Sequence, residues 1–213
     1  MAKKLSPDIK ILDSAGKEYL PSLSTIHSRA FHPIHPYHKR ICPDTPLVRA
    51  WWSTIFSDYI DSEYSYVLTA VDTTKSDFVA GVLLLAYCDF DAKTSNVFMK
   101  AGLTDDHDRA AFAAMTGGDA HERLMKGNSH LVIELFGVDH DYAGQGVGQA
   151  LLERACELAA GGGYDCFVQA NAKAAKFYEK QGFEVRESSV MPGEEEYVEC
   201  QMVRQAAANV HKE

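Results

Sequence analysis

Asp139-His140-Asp141-Tyr142-Ala143-Gly144-Gln145-Gly146-Val147-Gly148-Gln149-Ala150-Leu151-Leu152 sets three alternate glycines between an apolar strand and an amphipathic helix. Glycine lets the chain turn tightly and approach a ligand without a Cβ in the way, so backbone N–H groups can converge on anionic oxygens at the helix N-terminus. The expected ligand group is a pyrophosphate. A dinucleotide fingerprint needs Gly-x-Gly-x-x-Gly and a Walker loop needs Gly-Lys-Ser/Thr, whereas the spacing here is Gly-x-Gly-x-Gly with no lysine after it. Neither nucleotide pattern fits.

Outward from this loop the chain alternates strands and helices. Upstream lie a strand at residues 9–12, a helix at 19–31, a histidine-rich loop, and a helix opened by Asp44-Thr45-Pro46 with Val48, Trp51, Ile55 and Tyr59 on one face. Two β-rich runs, 64–72 and 78–89, flank a polar turn and read as a hairpin. Residues 91–128 are polar and broken by Gly117-Gly118 and Gly127-Asn128, which marks an inserted helical segment. A strand at 131–138 leads into the loop. A helix at 147–160, a turn at Gly161-Gly162-Gly163, a strand at 166–170, a helix at 172–181 and a strand at 197–203 follow. Such alternation indicates an α/β sheet covered by helices on both faces.

The chain has 213 residues, 46% hydrophobic and 24% charged, which bounds it to one domain over 1–205 with a tail at 206–213. No apolar run matches a signal peptide or a membrane span, so no membrane partner and a cytoplasmic location are expected, with nuclear entry by diffusion. Five scattered cysteines without a Cys-x-x-Cys spacing imply buried or free thiols, not a disulfide framework or zinc site. A net charge of −9 makes phosphate backbones repulsive overall, and no nucleic-acid partner is expected.

A second stretch, Asn171-Ala172-Lys173-Ala174-Ala175-Lys176-Phe177-Tyr178-Glu179-Lys180-Gln181-Gly182-Phe183, resembles the Asn-x-x-Ala-x-x-Phe-Tyr-Glu-Lys-x-Gly-Phe motif of the GNAT superfamily of acyl-CoA-dependent N-acetyltransferases. The glycine loop resembles the same family's Gln/Arg-x-x-Gly-x-Gly/Ala signature through Ala143, Gly146 and Gly148, preceded by Phe136-Gly137-Val138. Ala143 departs from the usual Gln or Arg, and Gln145 from a frequent basic residue. The resemblance covers about residues 131–204 and implies a GNAT-like, mixed and mostly antiparallel sheet with a V-shaped splay between two strands. The 91–128 insertion lies outside the minimal fold.

That resemblance implies acetyl-CoA as co-substrate. The backbone of Phe136, Gly137 and Val138 would pair with the pantetheine amides. The segment from Ala143 through Gly144, Gln145, Gly146, Val147, Gly148 and Gln149 would hold the pyrophosphate, while Asn171, Ala174 and Tyr178 would line the thioester slot. Tyr178 takes the family's acid role toward the departing thiolate: its unperturbed pKa, about 10, lies above the thiol's, about 8.5. Strand alternation puts Val132, Glu134, Phe136 and Val138 on one face and Ile133 and Leu135 on the other. Glu134 is then a lone carboxylate in an apolar strand, which burial would push toward neutral pKa; it is expected either as the base or as an acceptor contact.

In Phe31-His32-Pro33-Ile34-His35-Pro36-Tyr37-His38, a polyproline II helix would put His32, His35 and His38 on one side. No cysteine or carboxylate stands close, so no metal is expected there. The family places this connection at the acceptor pocket, giving His35 and Tyr37 as acceptor contacts. Trp51, Trp52, Ile55, Phe56 and Tyr59 read as core packing, His140 as a solvated turn residue, and Glu194-Glu195-Glu196 as a hairpin turn.

The expected function is transfer of an acetyl group from acetyl-CoA to a primary amine of a small molecule by direct attack on the thioester. Two alternatives stand beside it: an acyl-CoA-binding sensor or scaffold, and an acetyltransferase for protein lysines or N-termini. The oligomeric state is open between monomer and homodimer.

Overall fold

β-branched and apolar runs form three strands ahead of the glycine loop: β1 (Ile9–Leu12), β2 (Ser65–Asp72) and β3 (Phe78–Cys88). In the computed structural model the described residues are 4–76, 78–89, 101–116, 119–191 and 194–206, with backbone alone at 194–196. Four more strands, β4 (His130–Val138), β5 (Asp165–Asn171), β6 (Glu184–Met191) and β7 (Glu194–Arg204), complete a seven-stranded sheet of order β1-β2-β3-β4-β5-β7-β6. Every neighbouring pair is antiparallel except β4 with β5. The mixed, mostly antiparallel α/β sheet is thus the one expected.

Helices cover both faces. On one, α7 (Val147–Gly162) and α8 (Ala172–Glu179) bury Leu151, Leu152, Ala155 and Tyr178 against Leu83, Leu85, Ile133 and Val168. On the other lie α1 (Leu20–Leu23), α2 (Ile26–Phe31), α3 (Pro36–Ile41), α4 (Pro46–Asp61) and α5 (Arg109–Thr116). There Leu23, Ile26, Trp51, Trp52, Ile55 and Phe56 pack on Val67, Val82 and Leu84, so the aromatic run of α4 is core. Thr45 caps α4 by accepting from the Val48 N–H, with Pro46 at the first helical position. A smaller cluster of Cys88, Met125, Val132, Phe167 and Val203 sits beneath α6 (Ala120–Met125).

The expected helix at 19–31 is two helices. Ser24 and Thr25 donate their hydroxyls to the Pro21 and Ser22 carbonyls, which competes with helical hydrogen bonding and separates α1 from α2. Arg29 fills the break: it donates to the Ser22 carbonyl at 3.0 Å, to the Val79 carbonyl at 3.0 Å, and to Asp139. Asp139 also accepts from the Asp141 N–H, so this buried ion pair fixes the start of the glycine loop to β3 and α2. Removing one partner strands the other charge in the interior. Arg29→Met is expected to lower unfolding free energy by about 3–5 kcal/mol in a denaturant titration. A loss below ~1 kcal/mol would mean that the pair is not holding the loop.

One strand of the hairpin at the sheet edge was not expected from sequence. β6 is mostly exposed and reads Glu184, Val185, Arg186, Glu187, Ser188, Ser189, with no alternating apolar face, yet it pairs with β7 along the ladder. Residues 192–193 and the side chains of Glu194-Glu195-Glu196 lie outside the described residues, as does the inserted segment from 90 to 100 and the tail from 207. Among the described residues no helix is long and apolar enough to cross a membrane.

Candidate active site

Strand β4 pairs with β5 only from His130↔Asp165 to Ile133↔Val168. Beyond Ile133 the two separate, although β4 runs on to Val138 and β5 to Asn171. This is the V-shaped splay, and a β-bulge opens it. Leu85 faces Ile133 and Leu84 faces Leu135, leaving Glu134 as the extra residue. The bulge also corrects the expected alternation. Ile133, Phe136 and Val138 pack on the α7 side, while Leu135 joins the opposite core.

The splay opens into a cleft of about 1290 Å³. Glu134 lines it as a half-buried residue, and desolvation raises its pKa to about 7. At one end lies the glycine loop. Gly144 has φ 68° and Gly146, the N-cap of α7, has φ 86°, both in the left-handed region that glycine tolerates. The first-turn N–H groups of α7 have no partner within the helix and carry its positive dipole end toward the cleft. Gly148 sits close to β4; a Cβ there would meet Val138 at 3.4 Å and Phe136 at 3.6 Å.

Ala143, Gly144, Gly146, Gly148 and Gln149 line the cleft, together with Phe136, Gly137, Val138, Asn171, Ala174 and Tyr178. Two predicted loop contacts do not offer side chains. Val147 is buried in the core, and the Gln145 amide turns back to donate to the Asp141 carbonyl at 2.8 Å. Only their backbone groups remain for a ligand. Gly146→Ala is expected to cost about 1–2 kcal/mol through its left-handed φ and, by distorting the cradle, to weaken binding of the pyrophosphate-bearing ligand expected from the sequence roughly tenfold by calorimetry. Unchanged affinity would remove the cradle role.

Asn171 caps α8, its Oδ1 accepting from the Ala174 N–H at 3.0 Å. That cap directs the helix so that Tyr178 is buried against Phe136, Phe177 and Phe183 while reaching the cleft. Burial pushes its phenol well above the ordinary tyrosine value, with the nearby Cys166 adding to the shift. Tyr178 therefore keeps its proton at any working pH.

The far side of the cleft is built by α2, α3, β7 and the inserted segment. The histidine run is not a polyproline helix: Pro36 starts α3, with His35 as N-cap, and the His35 and His38 rings lie 5.6 Å apart, centroid to centroid. His32 Nε2 lies 2.9 Å from the Cys42 carbonyl; His35 and His38 line the cleft. Burial holds the His38 pKa at about 3, helped by His35 and His32, and its ring lies 3.2 Å from the Tyr197 hydroxyl and 3.3 Å from His27 Nε2. Tyr37 is corrected from an acceptor contact to a support. It is buried and donates to the Ala111 carbonyl at 2.8 Å, joining α3 to α5 outside the cleft lining.

Sequence reading missed the polar face of β7. Tyr197, Glu199 and Gln201 line the cleft while Cys200 and Met202 enter the core between them. The signal was legible as polar residues at period two within an apolar strand. Burial raises Glu199 to about 7, opposed by its hydrogen bond from Gln169 at 2.5 Å. The Gln169 amide also reaches the Met115 carbonyl at 3.2 Å. Met115, Thr116, Asp119 and His121 bring the inserted segment to the cleft wall.

A family model described as acetyltransferase (GNAT) domain matches residues 101–185. No curated protein matches the chain. Among solved structures, arylalkylamine N-acetyltransferase 2 from Aedes aegypti is 17% identical, with a TM-score of 0.62 over 94% of this chain and 100% of its own. A structure described as histone acetyltransferase HPA2 and related acetyltransferase, from Corynebacterium glutamicum, is 19% identical, with a TM-score of 0.61 over 95% and 99%. The PaiA N-acetyltransferase of Thermoplasma acidophilum, solved with coenzyme A, is 13% identical, with a TM-score of 0.55 over 92% and 98%. Paired motifs, the family model over residues 101–185 and the splayed sheet agree: the chain carries a match to the GNAT acetyltransferase domain and has the fold of GNAT acetyltransferases.

Proposed function

We propose that this protein is an acetyl-CoA-dependent N-acetyltransferase that acetylates a primary amine of a small molecule. One observation carries the reading: a single cleft joins a helix N-terminus built on glycine, a carboxyl with a pKa of about 7, and a protonated tyrosine. The residues fit the donor, because the loop offers backbone N–H groups where a pyrophosphate needs them and the splay leaves Phe136 and Val138 without a β5 partner. Bound acetyl-CoA supplies the activated carbonyl. Glu134 takes a proton from the bound acceptor ammonium, directly or through water, so that the neutral amine attacks; Tyr178 hydrogen-bonds the departing thiolate, which ends as the thiol by gaining the second proton that the nitrogen sheds. The carbonyl carbon gains a C–N bond and loses its C–S bond.

A small acceptor is supported by the inserted segment, whose α5 and α6 residues wall the acceptor side and narrow the groove that a peptide would need. The likeness to an arylalkylamine N-acetyltransferase points the same way. Thiol release and product mass should be followed over amines, amino acids, polyamines, aminoglycosides and lysine peptides. Turnover of a small amine with formation of its N-acetyl product is expected. Turnover of peptides alone would favour the protein-acetyltransferase reading, and acetyl-CoA binding without thiol release would favour a sensor, consistent with Ala143 in place of Gln or Arg.

A further inference from the structure

Cys88, His121 and His130 come from three separate places and converge away from the glycine loop. Cys88 ends β3, His130 begins β4 as its antiparallel cross-strand partner, and His121 lies on α6 of the inserted segment. Their Sγ and ring nitrogens all lie within 4.8 Å of one another, and the two Nε2 atoms are 2.7 Å apart. His130 Nδ1 lies 2.7 Å from the Asn128 carbonyl. That bond places the Nδ1 proton and leaves the Nε2 lone pair facing the cluster, an arrangement typical of a metal-bound histidine. His121 is held in place by stacking on Phe167, with centroids 4.6 Å apart.

We propose that Cys88, His121 and His130 form a binding site for a borderline-soft divalent cation, zinc by preference, that clips the inserted segment to the sheet. One sulfur and two imidazoles are a donor set suited to a tetrahedral ion whose fourth position is left for water. Zn–N distances of about 2.0–2.1 Å and Zn–S of about 2.3 Å require donor separations of roughly 3.3–3.6 Å. The imidazoles must therefore part slightly, and the thiol must move in by at most about an ångström, within reach of side-chain rotation. Burial keeps both histidines neutral near pH 7, the form that binds metal. Burial also pushes the Cys88 thiol up to about 12, so the ion must displace the thiol proton to solvent while the His121 proton resides on Nδ1.

The test uses the untagged full chain stripped with chelator and titrated with Co²⁺, then Zn²⁺. One Co²⁺ per chain is expected, with a thiolate-to-metal charge-transfer band that Zn²⁺ abolishes, and a rise in Tm with Zn²⁺. Cys88→Ser should lose the band, and His121→Ala, at a half-buried position, should weaken binding at least ~100-fold with circular dichroism unchanged. Failure of the folded chain to take up one equivalent, uptake without the band, or unchanged affinity in His121→Ala would overturn the proposal.

Discussion

Tyr178→Phe is expected to lower kcat about 100-fold while leaving the KM for acetyl-CoA within about twofold. Removing one hydroxyl preserves the ring packing against Phe136, Phe177 and Phe183, so the fold and slot should persist. General acids contribute ~10²–10⁴-fold, and the low end applies here. Burial raises the Tyr178 phenol, whereas a thiol sits near pKa 8.5, so complete transfer to the free thiolate is uphill. The hydroxyl then acts mainly by hydrogen-bonding sulfur as charge develops, with the proton following. The same pKa predicts that Tyr178 adds no alkaline limb to kcat below pH 10. Steady-state thiol release at saturating amine measures both. A variant that keeps full kcat would show that solvent protonates the thiolate.

Glu134→Gln should lower kcat/KM for the amine about 100- to 1000-fold near pH 7.5. The loss should shrink as pH approaches the amine's own pKa, roughly 10, where the free base no longer needs a proton acceptor. Stability should move the other way. Burial raises the folded pKa of Glu134 from 4.5 to about 7, so the folded state prefers the protonated form. Below about 4.5 the group costs nothing extra, and between 4.5 and 7 folding stability falls as pH rises, because the buried carboxylate must form. Glu134→Gln should therefore raise Tm at pH 8 and leave it unchanged at pH 4. Joint loss of activity and gain in stability is the mark of a carboxyl kept in place for chemistry. A drop in Tm at pH 8 would instead make Glu134 a structural partner.

Much of this site is written locally. The Asn171 cap, the helix carrying Tyr178 and the glycine turn are each set within about a dozen residues, and motif spacing recovers them. Glu134 was legible as a carboxylate in an apolar strand, but not as a bulge residue. The bulge depends on how β3 registers against β4, which period-two reading cannot foresee. The α1–α2 break turns on hydroxyls competing for carbonyls and on an arginine 110 residues before its aspartate partner. Pro36 suits an extended segment and the first turn of a helix equally well, and here it opens α3. β6 escaped because an edge strand is held by its backbone ladder and needs no apolar face.

In the proposed reaction Glu134, its pKa raised to about 7, deprotonates the acceptor inside the splay. The most direct measurement is the pH dependence of kcat/KM for the best amine, from pH 5 to 9, in the wild-type protein and Glu134→Gln. The wild type, binding the amine as its ammonium form, should rise tenfold per pH unit to a bend near 7 and then level off, and the variant should lack that bend. Superimposable profile shapes in the two proteins would show that Glu134 is not the base.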